Sequence, residues 1–261
     1  MAAATEKKEG LWETVKTVAW ALVIAGVFRS VFFQPFWIPS GSMKETLLIG
    51  DFLFVNKMAY GWSRYSCPFA LCPISGRLWA TMPERGDIVV FRHPVSGDDL
   101  IKRLIGLPGD KVQMKEGRLY LNGEMVPQEP AGMFEEVFTP QGSQRSLPRC
   151  ANAPVGQGGI CQNERFVETL PNGVAHDVLN TDMNGADNTP VFTVPEGHYF
   201  FMGDNRDNSM DSRFSQDVGG VGMLPAEYLI GRADRILFSS AGRSLFFFWT
   251  WRSDRFFKAV E

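Results

Sequence analysis

The segment PSGSM at residues 39–43 carries two serine hydroxyls around a bend formed by proline and glycine. A serine hydroxyl can attack a carbonyl carbon when a neighbouring base removes its proton. The same residues also fit a simpler structure, because Ser42 and Glu45 have the spacing of a capping box at a helix N-terminus. Taken alone, the segment favours the helix cap over the nucleophile.

A base for this serine must come from elsewhere in the chain. We expect structural roles for the three histidines, His93, His176 and His198, from their places at a strand end, in a polar segment and within a strand. A lysine can act as the base only if burial lowers its pKa well below about 10.4. Strand alternation in DLIKRLIG puts Lys102 and Arg103 on opposite, equally apolar faces, so either could be buried. An outward-pointing lysine on an edge strand is the simpler interpretation.

A third segment, GDNRDNSMDSR at residues 203–213, is almost entirely polar and follows the apolar run HYFFM. It could be an exposed loop of Asx turns. Its charges alternate in sign, however, so ion pairs could hold it in place. A loop held on rigid β structure is a common position for catalytic support groups.

The rest of the chain predicts a mainly β fold in which these segments are positioned by strands. Short apolar runs are separated by Gly, Pro and Asp, and residues 115–118 and 122–123 are typical of hairpin turns. After residue 45 the sequence has no long amphipathic helical window. Residues 131–190 are rich in Pro, Gly, Asn and Gln and indicate an inserted, loop-rich lobe.

The N-terminus predicts a membrane anchor. Residues 17–28 carry no charge, and extension to Phe33 approaches the roughly 20 residues of a membrane span if Arg29 reaches the interface. Trp12, Phe36 and Trp37 flank the run as interfacial aromatics do. A cleavable signal peptide would need a small-x-small site after the run, which is missing. A buried core helix is the remaining alternative, and we favour one uncleaved transmembrane helix.

The last residues, SLFFFWTWRSDRFFKAVE, are too short and too charged to span a bilayer. Aromatic rings interleaved with basic residues suit a membrane interface. A terminal segment packed on the domain fits the composition equally well, and both interpretations stay open.

Composition excludes some classes of protein. The 261 residues have a formal net charge of −3, which gives no electrostatic basis for binding nucleic acid, and 44% hydrophobic residues exclude a disordered chain. The four cysteines form two local pairs, Cys67 with Cys72 and Cys150 with Cys161. This pattern favours disulfides in an oxidising compartment over free thiols, and neither spacing is that of a zinc site.

Five stretches, in order, resemble the type I signal peptidases, the bacterial membrane-anchored Ser/Lys proteases. They are the apolar N-terminus, PSGSMKETLLIGD at 39–51, RGDIVVFRHP at 85–94, IKRLIGLPGD at 101–110 and GDNRDNSMDSR at 203–213. The resemblance implies an antiparallel β-sheet catalytic core of the signal-peptidase and repressor-peptidase type. It also implies one N-terminal transmembrane helix. The inserted loop-rich β lobe, expected from composition, lies outside the resemblance.

By position, the resemblance implies that Ser42 is the nucleophile and Lys102 its general base. The Ser40 hydroxyl and the Ser42 N–H would form the oxyanion hole. In the polar segment, Ser209 would orient the Lys102 amine and Gly203 would leave room beside it. The implied ion pairs are Asp211 with Arg213 and Asp204 with Arg103.

The implied reaction removes signal peptides from secretory preproteins after a small-x-small (A-x-A) motif, through an acyl-enzyme. The implied partners are preproteins and a lipid bilayer, with no metal, no cofactor and no nucleic acid. The residues expected to line the substrate pocket are Phe36, Ile38, Met43 and Ile101.

The expected location is the bacterial plasma (inner) membrane, single-pass, with the catalytic domain on the extracytoplasmic side. The expected divisions are an N-terminal tail (1–16), an anchor (17–33), a catalytic β domain (34–113 and 198–245), an inserted lobe (114–197) and a C-terminal segment (246–261). A self-cleaving repressor-type peptidase would lack the anchor. An anchored β domain that only binds partners, with Ser42 as a helix cap and Lys102 on the surface, is the alternative of another class.

Overall fold

The N-terminal residues form one long helix in the computed structural model, which describes residues 3–242 and 247–260. Helix α1 runs over Ala3–Val31. Its stretch Gly10–Val31 has a mean hydropathy of 1.5 and is not buried against the protein, so it is long and apolar enough to cross a membrane. Residues 3–16, predicted as a tail, extend this helix, because alanine, lysine and glutamate are good helix formers.

The remaining regular structure of the described residues is almost all β. The strands, in chain order, are β1 (Phe33–Trp37), β2 (Asp51–Asn56), β3 (Trp62–Ser63), β4 (Arg77–Leu78), β5 (Ile88–Arg92), β6 (Asp99–Gly106), β7 (Lys111–Lys115), β8 (Arg118–Leu121), β9 (Glu124–Met125), β10 (Gln128–Val137), β11 (Ile160–Thr169), β12 (Ala175–Asn180), β13 (Phe192–Thr193), β14 (His198–Met202), β15 (Leu224–Pro225) and β16 (Leu229–Ser239). Short 3-10 turns occupy Arg64–Ser66, Pro68–Ala70, Gly185–Asp187, Arg206–Asn208, Gln216–Val218, Ala226–Tyr228, Phe248–Thr250 and Ser253–Arg255.

The main sheet has seven antiparallel strands in the order β1-β2-β16-β5-β6-β14-β15. Strand β6 lies between β5 and β14, and Met202 at the end of β14 pairs with Arg103. The polar segment that follows β14 therefore begins beside Lys102 and Arg103. This arrangement confirms the expected mainly antiparallel β fold.

An inserted lobe separates β6 from β14 along the chain. It contains a four-stranded sheet, β13-β7-β8-β9, and a three-stranded sheet, β10-β11-β12. Glu116 and Gly117 have positive φ between β7 and β8, as do Asn122 and Gly123 between β8 and β9, which confirms both hairpin turns. Strands β10 and β11 are each ten residues long, so the lobe holds more strand than its Gly- and Pro-rich composition indicates.

The core of the main sheet packs around the segment that carries Ser42. Met43 and Leu47 are fully buried in one cluster with Leu53, Val55 and Ile101. This burial fixes the connection between β1 and β2, residues 38–50, against the sheet. Backbone hydrogen bonds also close its base, from Ile38 N to the Asp51 carbonyl and from Gly50 N to the Ile38 carbonyl, both 2.9 Å.

Both cysteine pairs are joined. Cys67 bonds to Cys72 and Cys150 to Cys161, with Cα atoms 5.3 and 5.1 Å apart. The disulfide prediction is confirmed, and Cys150–Cys161 ties the 138–159 loop to β11.

The C-terminal segment packs on the domain and also carries exposed aromatic rings. Arg255 is buried and pairs with Asp51, so the backbone is fastened to the sheet. The rings of Phe248, Trp249 and Phe257 are each more than two-thirds exposed. The predicted segment includes Phe246 and Glu261, which lie outside the described residues.

Candidate active site

Ser42 lies in a turn rather than at the start of a helix. Residues 42–46 form consecutive turns, with hydrogen bonds from Lys44 N to the Gly41 carbonyl and from Leu47 N to the Met43 carbonyl. The capping-box interpretation is therefore wrong. The Ser42 side chain is only 7% exposed, so its hydroxyl is held among protein atoms.

Lys102 reaches this serine from the centre of the main sheet. Its Nζ lies 2.5 Å from Ser42 Oγ and donates to the Ile101 carbonyl at 3.1 Å. The lysine is 5% exposed. Strand alternation does not show which of Lys102 and Arg103 is buried. In the structure both are buried, because strand β6 is covered on both faces.

Burial lowers the pKa of Lys102 to about 8. The carboxylates of Asp211 and Asp204 favour the charged amine and oppose this shift, whereas Arg213 adds to it. A substantial fraction of the amine is therefore neutral near pH 8, with a lone pair next to a hydroxyl. Such an amine can accept the proton of Ser42 as the serine attacks a carbonyl.

Arg103 points to the other side of β6, where its partners include Asp204 and the Gly86 carbonyl. Its Nε and Nη2 donate to the two Asp204 oxygens, each at 2.8 Å, and its Nη1 donates to the Gly86 carbonyl at 2.9 Å. Burial alone would raise the pKa of Asp204, but Arg103, together with His176 and Thr46, holds this pKa below its usual value. Thr46 Oγ1 donates to the same carboxylate at 2.6 Å and so links this pair to the Ser42 turn.

The polar segment after β14 is hydrogen-bonded to the backbone of the Ser42 turn. Asn205 donates twice, from its backbone N to the Ser42 carbonyl and from Nδ2 to the Gly41 carbonyl, both at 3.1 Å. A Cβ on Gly203 would stand 2.5 Å from the Ser42 carbonyl oxygen and would also meet the Ser209 side chain. The missing side chain of Gly203 thus leaves room for the serine turn itself.

Asp211 and Arg213 form a second buried pair in this segment. Arg213 Nε and Nη2 each donate to Asp211 at 2.9 Å, and Gly203 N donates to the same carboxylate at 3.0 Å. Burial would raise the pKa of Asp211, but Arg213 and these donors lower it. The Asp211 carboxylate thus joins Arg213 to Gly203, the first residue of the loop.

Ser209 occupies the middle of this loop but is not joined to Lys102. Its hydroxyl is buried without a hydrogen-bond partner among the described residues. The Lys102 amine instead donates to the Ile101 carbonyl.

The residues expected to line the substrate pocket lie together. Ile38, Met43 and Ile101 belong to the core cluster beneath the serine turn, and Phe36 packs against it. Ile38 and Met43 are about 1% exposed, so their side chains face the core. Ser40 is exposed.

The histidines have structural surroundings. His93 is buried, with its Nε2 2.9 Å from the Gly220 carbonyl and its Nδ1 accepting from Ser96 N at 3.0 Å. Burial lowers the pKa of His176 to about 4, so its ring is neutral at pH 7. Residues 3–242 and 247–260 contain no group of three or more His, Cys, Asp or Glu placed to hold a metal ion.

Comparison with known proteins gives the same family as the motifs. Residues 11–238 match the family described as "Signal peptidase, peptidase S26". The chain is 38% identical over 251 residues to signal peptidase I of Rickettsia typhi, covering 90% of this chain and 83% of that protein. It is 39% identical over 237 residues to signal peptidase I of Rickettsia prowazekii, covering 85% and 78%.

The chain belongs to the S26 signal peptidase family. Its activity is that of a serine endopeptidase that removes signal peptides, and its substrates are preproteins that carry them. A crystal structure of signal peptidase I from Enterococcus faecalis V583 shares 26% identity and covers 58% of this chain and 97% of that one, with a TM-score of 0.29. A score this low carries no argument about shared architecture.

In this signal peptidase, some contacts around the serine have no local sequence signal. The Lys44 ammonium is buried beside Glu136, which lies 92 residues further along the chain. Strand β12 of the lobe also contacts the polar segment, since Leu179 N donates to the Asp204 carbonyl at 2.9 Å. Residues so far apart in the sequence are brought together by the fold, and no motif spacing predicts their contact.

Proposed function

We propose that this signal peptidase cleaves by a Ser42–Lys102 dyad, with Ser42 as nucleophile and Lys102 as general base. The observation that carries the proposal is the 2.5 Å contact between Lys102 Nζ and Ser42 Oγ in a nearly fully buried setting. A Ser-Lys pair is a recognised variant of the catalytic triad. Because the amine needs no third residue to hold a tautomer, burial and the Ile101 carbonyl are sufficient to prepare it.

The reaction proceeds through an acyl-enzyme. Neutral Lys102 takes the Ser42 proton as Oγ attacks the scissile carbonyl, and the protonated amine then gives that proton to the leaving amine of the mature protein. The oxyanion is stabilised by the Ser42 N–H and the Ser40 hydroxyl, and each such donor contributes roughly 3–4 kcal/mol in comparable sites. Lys102 then deprotonates the water that hydrolyses the ester.

The polar segment supports the dyad by fixing both partners. The pair of Asp204 with Arg103 holds the segment against β6, and the pair of Asp211 with Arg213 closes the segment on itself. Gly203 admits the Ser42 backbone beside it. Ser209 lies in the same segment, and in the proposed reaction its hydroxyl would orient the Lys102 amine.

Substrate selection would follow from small subsites next to the serine turn. Phe36, Ile38, Met43 and Ile101 pack together beneath the serine turn. Shallow subsites above this apolar layer would favour small side chains at the −1 and −3 positions, the A-x-A pattern. A substrate segment could add to the exposed edge of β1, where its backbone would pair with the sheet.

We place the protein in the bacterial plasma (inner) membrane, single-pass, with residues 17–33 as the anchor and the catalytic domain on the extracytoplasmic side. An anchor that ends just before the serine turn keeps the site at the membrane surface, where the apolar part of a signal peptide emerges. We divide the rest of the chain into a catalytic domain (34–113 and 198–245), a lobe (114–197) and an interfacial C-terminal segment (246–261).

The dyad is tested by Lys102→Met, which keeps the length of the side chain and removes the base. We expect loss of cleavage of a preprotein with an A-x-A site, by about a thousandfold or more. The matched control is Lys111→Met, at an exposed position of β7, which should cleave like the unmodified protein. Equal activity of the two variants would contradict the assignment of Lys102.

Substrate selection is tested with the same preprotein carrying Leu in place of Ala at −1, at −3, or at a position outside the motif. We expect a lower kcat/KM for the first two substrates and an unchanged value for the third. Equal cleavage of all three would contradict the small-x-small preference.

A further inference from the structure

Lys44, two residues after the serine, is a buried cation that the proposed reaction does not use. It is 4% exposed although lysine side chains are seldom buried. Burial lowers the pKa of Lys44, whereas Glu136 raises it. A lysine in this position is costly to desolvate unless it has close partners.

The partners of Lys44 come from the inserted lobe. Its Nζ donates to the two Glu136 oxygens at 2.7 and 2.6 Å and to Gln141 Oε1 at 3.0 Å. Gln141 Nε2 in turn donates to Glu136 Oε2 at 2.5 Å. The three donors of the ammonium are thus satisfied in a closed network, the condition under which a buried pair can define one geometry.

The Lys44 side chain also lies over the residue that precedes the nucleophile. A Cβ on Gly41 would be 3.2 Å from Lys44 Cε and 3.4 Å from Cδ. The Gly41 carbonyl accepts from Lys44 N at 3.2 Å and from Asn205 Nδ2 at 3.1 Å. Lys44 and Asn205 therefore hold the Ser42 turn from two sides, the lobe side and the loop side.

The neighbouring contact to the lobe is weaker. Glu45 Oε1 lies 3.2 Å from Nη1 of Arg165 in β11, and both side chains are about one-third exposed. Exposed pairs of this kind contribute little. The closed network around Lys44 is therefore the stronger link between the lobe and the turn.

We propose that Lys44 is a positioning residue through which the lobe, by way of Glu136, sets the orientation of the Ser42 hydroxyl towards Lys102. The inference rests on the proposed role of Ser42 as nucleophile and gives the lobe a function in the reaction. Lys44 touches neither the substrate nor the Lys102 amine in this role. It acts on catalysis only through the backbone of residues 41–44.

The first test is Glu136→Gln, which removes the charge that holds Lys44 and keeps the shape of the side chain. A misplaced nucleophile should lower kcat by roughly ten- to a hundredfold with little change in KM. The pH at which activity reaches half its maximum should stay the same, because Lys102 is not altered. The matched control is Glu135→Gln on the same strand, whose exposed carboxylate accepts from Gln162 Nε2 at 2.7 Å. Equal kcat for both variants would overturn the proposal.

A second variant separates positioning from simple stabilisation. In Lys44→Met/Glu136→Met no buried charge is left unpaired, so the unfolding temperature should return towards that of the unmodified protein. The proposal predicts that kcat stays about tenfold low, because the directional tether is gone. A return of kcat together with the unfolding temperature would show a purely structural pair and overturn the proposal.

Ser42→Ala, measured beside these variants, separates the two levels of the argument. If Ser42→Ala is inactive and the double variant fully active, the link to the lobe fails and the dyad stands. If Ser42→Ala cleaves normally, the dyad fails, and the positioning role fails with it.

Discussion

At the scale of single residues, the chemistry depends on the surroundings of one amine. Lys102 is buried in the middle of a sheet, where desolvation disfavours its charge and two carboxylates favour it. Desolvation is the larger effect, so the pKa falls from its ordinary value of 10.5 to about 8. Burial that lowers the pKa of Lys102 must also lower the free energy of unfolding. The effect on catalysis and the effect on stability can be measured separately.

The first consequence is a pH dependence of catalysis. Because the neutral amine is the active form in the proposed dyad, kcat/KM should rise with pH and level off above about 8. A pH–rate profile on a preprotein or peptide substrate measures this limb. A rise centred near 10.5, the pKa of an unburied lysine, would contradict burial of the base.

The second consequence concerns stability. Between pH 8 and 10.5 the unfolded chain holds the Lys102 proton more tightly than the folded one, so stability rises with pH across that window. Below the window the cost of the buried charge is fully present. Lys102→Met should therefore raise the free energy of unfolding at pH 7 by roughly 1–3 kcal/mol. Thermal unfolding at pH 7 checks this, and a destabilised variant would contradict it.

At the scale of elements, three segments meet at the site because of sheet order. The turn between β1 and β2 brings Ser42, strand β6 brings Lys102, and the loop after β14 closes over both. The loop can approach only because Gly203 lacks a side chain where the Ser42 carbonyl passes. At Gly203 the backbone of the loop thus packs directly against the backbone of the Ser42 turn.

Substitution of Gly203 should separate these backbones. In Gly203→Ala the new methyl group would overlap the Ser42 carbonyl oxygen and Ser209, so we expect about 1–3 kcal/mol of destabilisation and a strongly reduced kcat. Chemical denaturation and steady-state kinetics measure both. The control is Gly185→Ala, where a Cβ would meet nothing within 4 Å. Unchanged kinetics in Gly203→Ala would contradict the close approach.

The sequence predicts these elements unevenly, and the reasons are physical. Strands β5, β6 and β14 are recognisable because their apolar runs are buried. Strand β10 is hidden because most of its residues are exposed. Strand β11 is hidden because its buried positions include the polar residues Asn163 and Glu168. The motifs predicted that Ser42, Lys102 and the polar loop meet. No spacing could predict the contact of Lys44 with Glu136, which depends on how the lobe folds back.

At the scale of the whole molecule, aromatic rings lie along the edge of the sheet that follows α1. The ring centroids of Phe33 and Phe54 are 5.9 Å apart. Those of Phe52 and Phe238 are 4.9 Å apart, and those of Phe238 and Trp251 are 5.8 Å apart. Aromatic rings at the edge of an anchored domain suit the headgroup region of a bilayer, which would bring the site close to membrane-embedded substrates.

A membrane contact of this kind predicts a substrate-dependent effect. Phe248→Ala/Trp249→Ala should raise KM for a preprotein reconstituted in vesicles by about three- to tenfold, since the site would be held less closely to the surface. Cleavage of a soluble peptide should not change. Met183→Ala removes an exposed apolar side chain from the lobe and serves as the control. An equal effect on both substrates would contradict a role at the membrane.

The central claim is that Ser42 attacks the scissile bond, and the most direct measurement is cleavage of an A-x-A preprotein by Ser42→Ala. The control is Ser96→Ala, an exposed serine in the turn between β5 and β6. Ser42→Ala should lose activity by about a thousandfold or more while its unfolding temperature stays near that of the unmodified protein. Ser96→Ala should cleave normally. Cleavage by Ser42→Ala at a rate near that of the control would contradict the account.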